Sequence, residues 1–184
     1  MMEFYSIIVS GLPRSGTSLI MQILKSQNIP IFEDGIRKPD INNVNGYFEV
    51  DRVGQKIKTD RGFIDSIKGK SIKVIAPFLD NLPNDLGKYL VLFSSRKFDE
   101  IFKSMEKMIG RETKVEERRG LILQQSRSLD MIATRKDFDL VQVNFNKMIN
   151  DPLNEIQKIS KKFDNFDMDK AIACVDICQY NNRI

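Results

Sequence analysis

Histidine is absent from the chain's 184 residues, which removes the commonest general base and the commonest zinc ligand from any mechanism. Proton transfer is left to Glu, Asp, Lys or Tyr. Cysteine is almost as scarce. Cys174 and Cys178 stand one helical turn apart, a spacing that makes neither a zinc site nor a disulfide framework, so both read as reduced core thiols and no metal is expected. No apolar run approaches bilayer length, and Met1-Met2-Glu3-Phe4-Tyr5 lacks the basic start and long apolar stretch of a signal peptide. A cytoplasmic location without a membrane span is the expectation. A dense basic stripe is missing as well: 29 Lys+Arg against 25 Asp+Glu leave a net charge of +4, which suits a small anionic ligand and not a nucleic acid. The chain shows no internal repeat, low-complexity segment or interdomain linker.

What is present is the composition of a folded protein, 41% hydrophobic and 29% charged, at a length that suits one domain spanning residues 1–184. Phe4 to Ser10, with Ile7-Ile8-Val9 at its centre, reads as a buried strand ending at Gly11. From Thr17 the residues Leu19, Ile20, Ile23 and Leu24 recur at helical spacing. Residues 27–46, rich in Asn, Asp, Pro and Gly, read as a long surface loop. Further strands are expected at Ser71 to Ile75, Tyr89 to Ser94 and Leu140 to Val143. Helices are expected around Phe98, Ile101, Phe102 and Met105; over about 115–135 with Ile122, Leu129, Ile132 and Ala133 inward; after Asp151-Pro152 with Leu153, Ile156, Ile159 and Phe163 inward; and over Asp169 to Cys178. Alternating strands and helices predict an α/β fold of three layers, a parallel sheet flanked by helices, with ligands bound beyond the carboxyl ends of the strands.

Gly11-Leu12-Pro13-Arg14-Ser15-Gly16-Thr17-Ser18 falls between the first strand and first helix, the place where backbone N–H groups and a helix N-terminus hold a phosphate. The loop of ATP and GTP enzymes is G-x-x-x-x-G-K-[ST]. Here Thr17 stands at the lysine position and Arg14 is the nearby cation, which argues against a magnesium triphosphate.

Pro13-Arg14-Ser15-Gly16-Thr17-Ser18 resembles the P-[KR]-S-G-T-[ST] loop of the sulfotransferases that use 3′-phosphoadenosine-5′-phosphosulfate (PAPS). Lys73-Val74-Ile75-Ala76-Pro77 with Leu82-Pro83 is similar to the K-T-H-x-P...L-P stretch of the cytosolic members, and Val91 to Ser104 is similar to the strand and helix whose Arg and Ser, eight apart, hold the cofactor's 3′-phosphate. Phe145 to Pro152 with Glu155-Ile156 is similar to the structural Y-E-x-M-x-x-D-P...E-I segment. Small bacterial sulfotransferase-like proteins also carry likenesses of Asp34-Gly35-Ile36-Arg37, Gly46-Tyr47-Phe48-Glu49 and Tyr180-Asn181-Asn182-Arg183. The likeness runs in order from about residue 6 to 163.

The resemblance implies a P-loop-containing, sulfotransferase-like fold with PAPS as co-substrate. Arg14, the N–H groups of Ser15, Gly16, Thr17 and Ser18 and the hydroxyls of Thr17 and Ser18 would hold the 5′-phosphosulfate, with Arg96 and Ser104 on the 3′-phosphate. Arg14 and Lys73 are the cations expected to offset charge on the leaving phosphate. The catalytic histidine of the family pattern aligns with Ile75, so Glu49 becomes the candidate base, provided that apolar neighbours such as Phe48 raise its pKa. Asp34 and Asp51 stand in reserve, and Arg37 and Arg183 are further candidates to meet an anion. The function implied is transfer of a sulfuryl group to a hydroxyl or amine of an unidentified small molecule, glycan or protein. Two alternatives stay open: a non-catalytic nucleotide-binding module, and an atypical P-loop kinase or NTPase. Acceptor recognition is expected from loops such as 27–46 and 110–120.

Overall fold

The β-branched run Ile7-Ile8-Val9 lies in β1 (Ser6–Gly11), the middle strand of a five-stranded sheet. β1 pairs in parallel with β3 (Ser71–Lys73) on one side and β4 (Tyr89–Ser95) on the other. β2 (Ile31–Phe32) and β5 (Phe138–Asn144) form the edges, giving the all-parallel order β2-β3-β1-β4-β5. The computed structural model describes residues 4–40 and 46–175. Residues 42–45, Cys178 and the 180–183 segment with Arg183 lie outside the described residues.

A parallel sheet must bury both faces, so its strands carry continuous apolar runs. Alternation along each strand divides these runs. Ile8, Ile72, Tyr89, Val91 and Phe93 face a core completed by α2 (Val53–Thr59), α3 (Arg61–Ser66), the 3₁₀ helix Ala76–Asn81 and α5 (Val115–Thr134). Val9, Leu90, Leu92, Val141 and Val143 face a second core completed by α1 (Thr17–Ser26), α6 (Phe145–Asn150), α7 (Pro152–Ser160) and α8 (Met168–Ala173). The result is an α/β three-layer fold. A third, smaller cluster joins Leu12 of the loop after β1 to Ile101 and Phe102 of α4 (Phe98–Ile109), with Leu121 of α5 against it.

Several expectations need correction. β3 stops at Lys73, two residues short of Ile75, because the chain turns into the 3₁₀ helix whose first turn carries Pro77. β2 lies inside the expected loop, and α2, α3 and α6 carry no long periodic stripe and escape a periodicity reading. On α5 the inward residues are Ser128 and Ile132, with Leu129 partly covered; Ile122 and Ala133 are exposed, because the helix presents Leu121 to the Leu12 cluster and Ser128 to the Ala76 carbonyl. On α7, Leu153 is exposed and Glu155 takes the inward place, its carboxylate accepting the Asn144 N–H at the end of β5. Cys174 is half-buried against the second core and not fully inside it. Among the described residues no helix is long and apolar enough to cross a membrane.

Candidate phosphate-loop site

Strand β1 ends on the carboxyl side of the sheet, and the chain must reverse within five residues to start α1. Gly11 makes this possible: its φ is 144°, and a Cβ there would lie 2.5 Å from the Ser94 carbonyl oxygen and from Ser15 Oγ. The Ser15 N–H closes a turn onto the Leu12 carbonyl at 3.2 Å, and the Ser15 carbonyl accepts the buried Ser94 hydroxyl at 2.7 Å. Ser15 thus uses its N–H within the loop. Arg14 adopts a left-handed φ of 68°, a conformation costing a non-glycine residue about 1–2 kcal/mol. Gly16, at φ 101°, caps α1 without a side-chain hydrogen bond, and its carbonyl accepts the Leu19 N–H at 3.1 Å. Thr17 is buried and Ser18 is half-buried at that helix start.

Two groups of charged side chains converge on this loop. The first comes from β4 and α4. Arg14 Nε donates to Ser104 Oγ at 2.8 Å, so the structure joins the loop's cation to the serine expected on the 3′-phosphate. Arg96, expected beside it, is buried: its side chain is 6% exposed, Nε donates to Glu100 Oε2 at 2.9 Å, and Nη1 donates to the Arg14 carbonyl at 3.1 Å. Its guanidinium lies 4.8 Å from the Phe145 ring centroid.

The second group comes from β3 and the segment 34–51. Lys73 sits in an inner strand with its side chain 6% exposed. Nζ donates to Ser18 Oγ at 3.2 Å, the Tyr47 carbonyl at 2.9 Å and Glu49 Oε1 at 3.0 Å. Burial pushes the Lys73 ammonium below its ordinary pKa, and Glu49 works against that shift. The other Glu49 oxygen accepts from Arg37 Nη1 at 2.6 Å, and the Arg37 guanidinium stacks 3.6 Å from the Tyr47 ring centroid.

Glu49 is therefore not the poised carboxyl expected from Phe48. Phe48 packs into the second core, and desolvation, which alone would raise the Glu49 pKa, is outweighed by Lys73 and Arg37. The net shift is downward from 4.5. A carboxylate depressed in this way contributes stability above its ordinary pKa and loses it as pH falls through the lower, folded value. An NMR titration of the Glu49 carboxyl carbon should accordingly give a midpoint below 4.5 and no transition between pH 6 and 8; a midpoint near 6.5 would restore Glu49 as a poised base.

The reserve carboxylates have other work. Both oxygens of Asp34 are engaged, Oδ1 with the Ile36 N–H at 3.0 Å and Oδ2 with the Asp51 N–H at 2.6 Å. Desolvation is outweighed there by these N–H bonds, so Asp34 is held below the usual carboxylate range. Asp51 is exposed and meets only Arg52, at 3.6 Å, among its ion pairs within the described residues. Sequence reasoning left out Glu100, although an acid four residues after Arg96 in the first turn of a helix is a pairing signal. It also gave Tyr47 no role, and nothing in the sequence announces that Arg37 stacks on it.

No family model matches the chain, and no curated protein matches it. Among solved structures, an unliganded crystal structure of a sugar kinase from a Janibacter species superposes with a TM-score of 0.50 at 16% identity, covering 94% of this chain and 99% of that one. At this identity the likeness is one of fold, and the chain has an α/β fold, its parallel sheet flanked by helices, with the glycine-containing loop 12–16 joining β1 to α1.

Proposed function

We propose that the chain is a PAPS-dependent sulfotransferase, passing a sulfuryl group to a hydroxyl or amine and leaving adenosine 3′,5′-bisphosphate. The observation that carries this reading is the donor set at the start of α1. Thr17 replaces the lysine of a triphosphate loop, while Arg14 from the loop and Lys73 from β3 supply cations at the same helix end. The set fits a phosphosulfate: one helix N-terminus, hydroxyls of Thr17 and Ser18, and two cations.

In this reading the first-turn amides of α1, with Arg14 and the Thr17 and Ser18 hydroxyls, orient the 5′-phosphosulfate. The Arg96–Ser104 corner receives the 3′-phosphate, Ser104 exchanging its bond from Arg14 for one to the ligand. The acceptor oxygen or nitrogen bonds to sulfur as the bond from sulfur to the 5′-phosphate oxygen breaks. Arg14 and Lys73 offset the negative charge that grows on that oxygen. Glu49 takes the acceptor proton as an ionised carboxylate of low basicity, so charge neutralisation carries more of the rate than proton removal. The acceptor class is a small molecule, glycan or protein.

The fold likeness to a sugar kinase supports a second reading, an atypical P-loop kinase. The missing histidine supports a third, a nucleotide-binding module without turnover. Calorimetric titration separates them. Adenosine 3′,5′-bisphosphate should bind more tightly than AMP or Mg-ATP, and Arg14→Ala should weaken it at least 30-fold. Preference for Mg-ATP would establish the kinase reading, and tight bisphosphate binding with no transfer from labelled PAPS to water or to a panel of hydroxyl and amine acceptors would support the module.

A further inference from the structure

Glu100 is 2% exposed, and its two oxygens serve different elements: Oε2 accepts from Arg96 Nε, and Oε1 accepts from Asn146 Nδ2 at 2.8 Å. Asn146 Oδ1 in turn accepts the Lys97 N–H at 3.0 Å. One carboxylate thus ties the end of β4 and the first turn of α4 to the first turn of α6. Both neighbours of this knot reach the phosphate loop. Arg96 grips it at the Arg14 carbonyl, and the Phe145 ring fills the space beside Gly16, where a Cβ would come within 2.1 Å of the ring. A buried ion pair adds little net stability, because desolvation offsets its Coulombic gain. It fixes direction well, since a guanidinium presents its donors in a rigid fork. With Nε held by Glu100, the fork places Nη1 on the one carbonyl that follows the left-handed turn at Arg14.

We propose that Glu100 is a positioning residue of the phosphate loop, holding Arg96 on the Arg14 carbonyl and thereby the turn that converges the loop's donors. This rests on residues 11–18 being a phosphate loop and not on which nucleotide they take.

Hydrogen–deuterium exchange on the ligand-free full chain tests it, with Asp139→Asn, which breaks the remote Asp139–Lys162 pair, as control. In Glu100→Ala, exchange over residues 12–18 should rise at least tenfold while β1 and β4 stay at wild-type rates; the control should leave the loop unchanged. Arg96→Lys keeps a cation for Glu100 but loses the forked bond to Arg14, and should loosen the loop similarly; it carries the test if Glu100→Ala does not fold. AMP, which has no 3′-phosphate for Arg96 to meet, should weaken in Glu100→Ala along with adenosine 3′,5′-bisphosphate. Wild-type loop exchange in folded Glu100→Ala or in Arg96→Lys would overturn the proposal. Loss of bisphosphate binding alone, with AMP unchanged, would also overturn it, making Glu100 an aligner of a 3′-phosphate ligand. A wild-type chain that binds neither nucleotide would count against sulfuryl transfer while the exchange data still decide the role of Glu100.

Discussion

Gly16→Ala should lower folding stability by about 3 kcal/mol and remove nucleotide binding. Two costs combine: a left-handed backbone penalty of about 1–2 kcal/mol for a residue with a Cβ, and overpacking of about 1–3 kcal/mol. The second arises because the new methyl would lie 2.1 Å from Phe145 Cδ2, and the ring cannot retreat past the Arg96 guanidinium stacked on it. Relief by moving the loop away from α6 is no better, since it draws the α1 amides off the phosphate position. Gly110→Ala is the comparison: its φ is 71°, but a Cβ there meets nothing within 4 Å, so only the backbone cost of about 1–2 kcal/mol remains. Urea unfolding of both variants, with calorimetry for ligand, checks the contrast. Equal midpoints would mean that Phe145 does not support Gly16.

Lys73→Met should reduce release of sulfate from labelled PAPS by about 100-fold or more, with nucleotide affinity falling far less. Water serves as acceptor in that assay, so the acceptor's identity is not needed. The methionine nearly fills the lysine's volume in β3, so the packing of the strand is kept. Glu49 keeps its bond from Arg37 at 2.6 Å and is 31% exposed, so it is not left as a buried unpaired charge. What disappears is the cation on Ser18 Oγ. If affinity collapses and the rate with saturating nucleotide does not, Lys73 holds the ground state and not the leaving phosphate. The Glu49→Gln variant then completes a double-mutant cycle that separates the two side chains.

The sheet and the loop were legible in the sequence for different reasons. β1 and β4 declare themselves because a parallel strand buried on both faces leaves no polar alternation. The loop declares itself through Gly11 and Gly16, whose left-handed backbone leaves little choice of residue. The surroundings of Glu49 were not legible. Its neighbour in sequence, Phe48, suggested an apolar pocket, while its neighbours in space, Lys73 and Arg37, arrive from another strand and from twelve residues upstream. Spacing did point to Arg96 and Ser104 together. It could not show that Arg96 is committed to Glu100 and the Arg14 carbonyl, because the same helical spacing serves a ligand or an ion pair equally well.

The order in which the loop's supports occur along the chain has a consequence for its birth on the ribosome. The Gly11–Ser18 loop is made almost first, yet Arg14 bonds to Ser104 90 residues later, and Arg96 returns to its carbonyl from 82 residues away. β1, the strand that carries it, has no hydrogen-bonded neighbour until β3 and β4 emerge. Such distant pairing is slow, because chain entropy is lost before contacts reward it. This buried strand therefore waits unpaired until β3 follows it, which makes it a segment where a holdase chaperone would bind the nascent chain and where aggregation would start if none did.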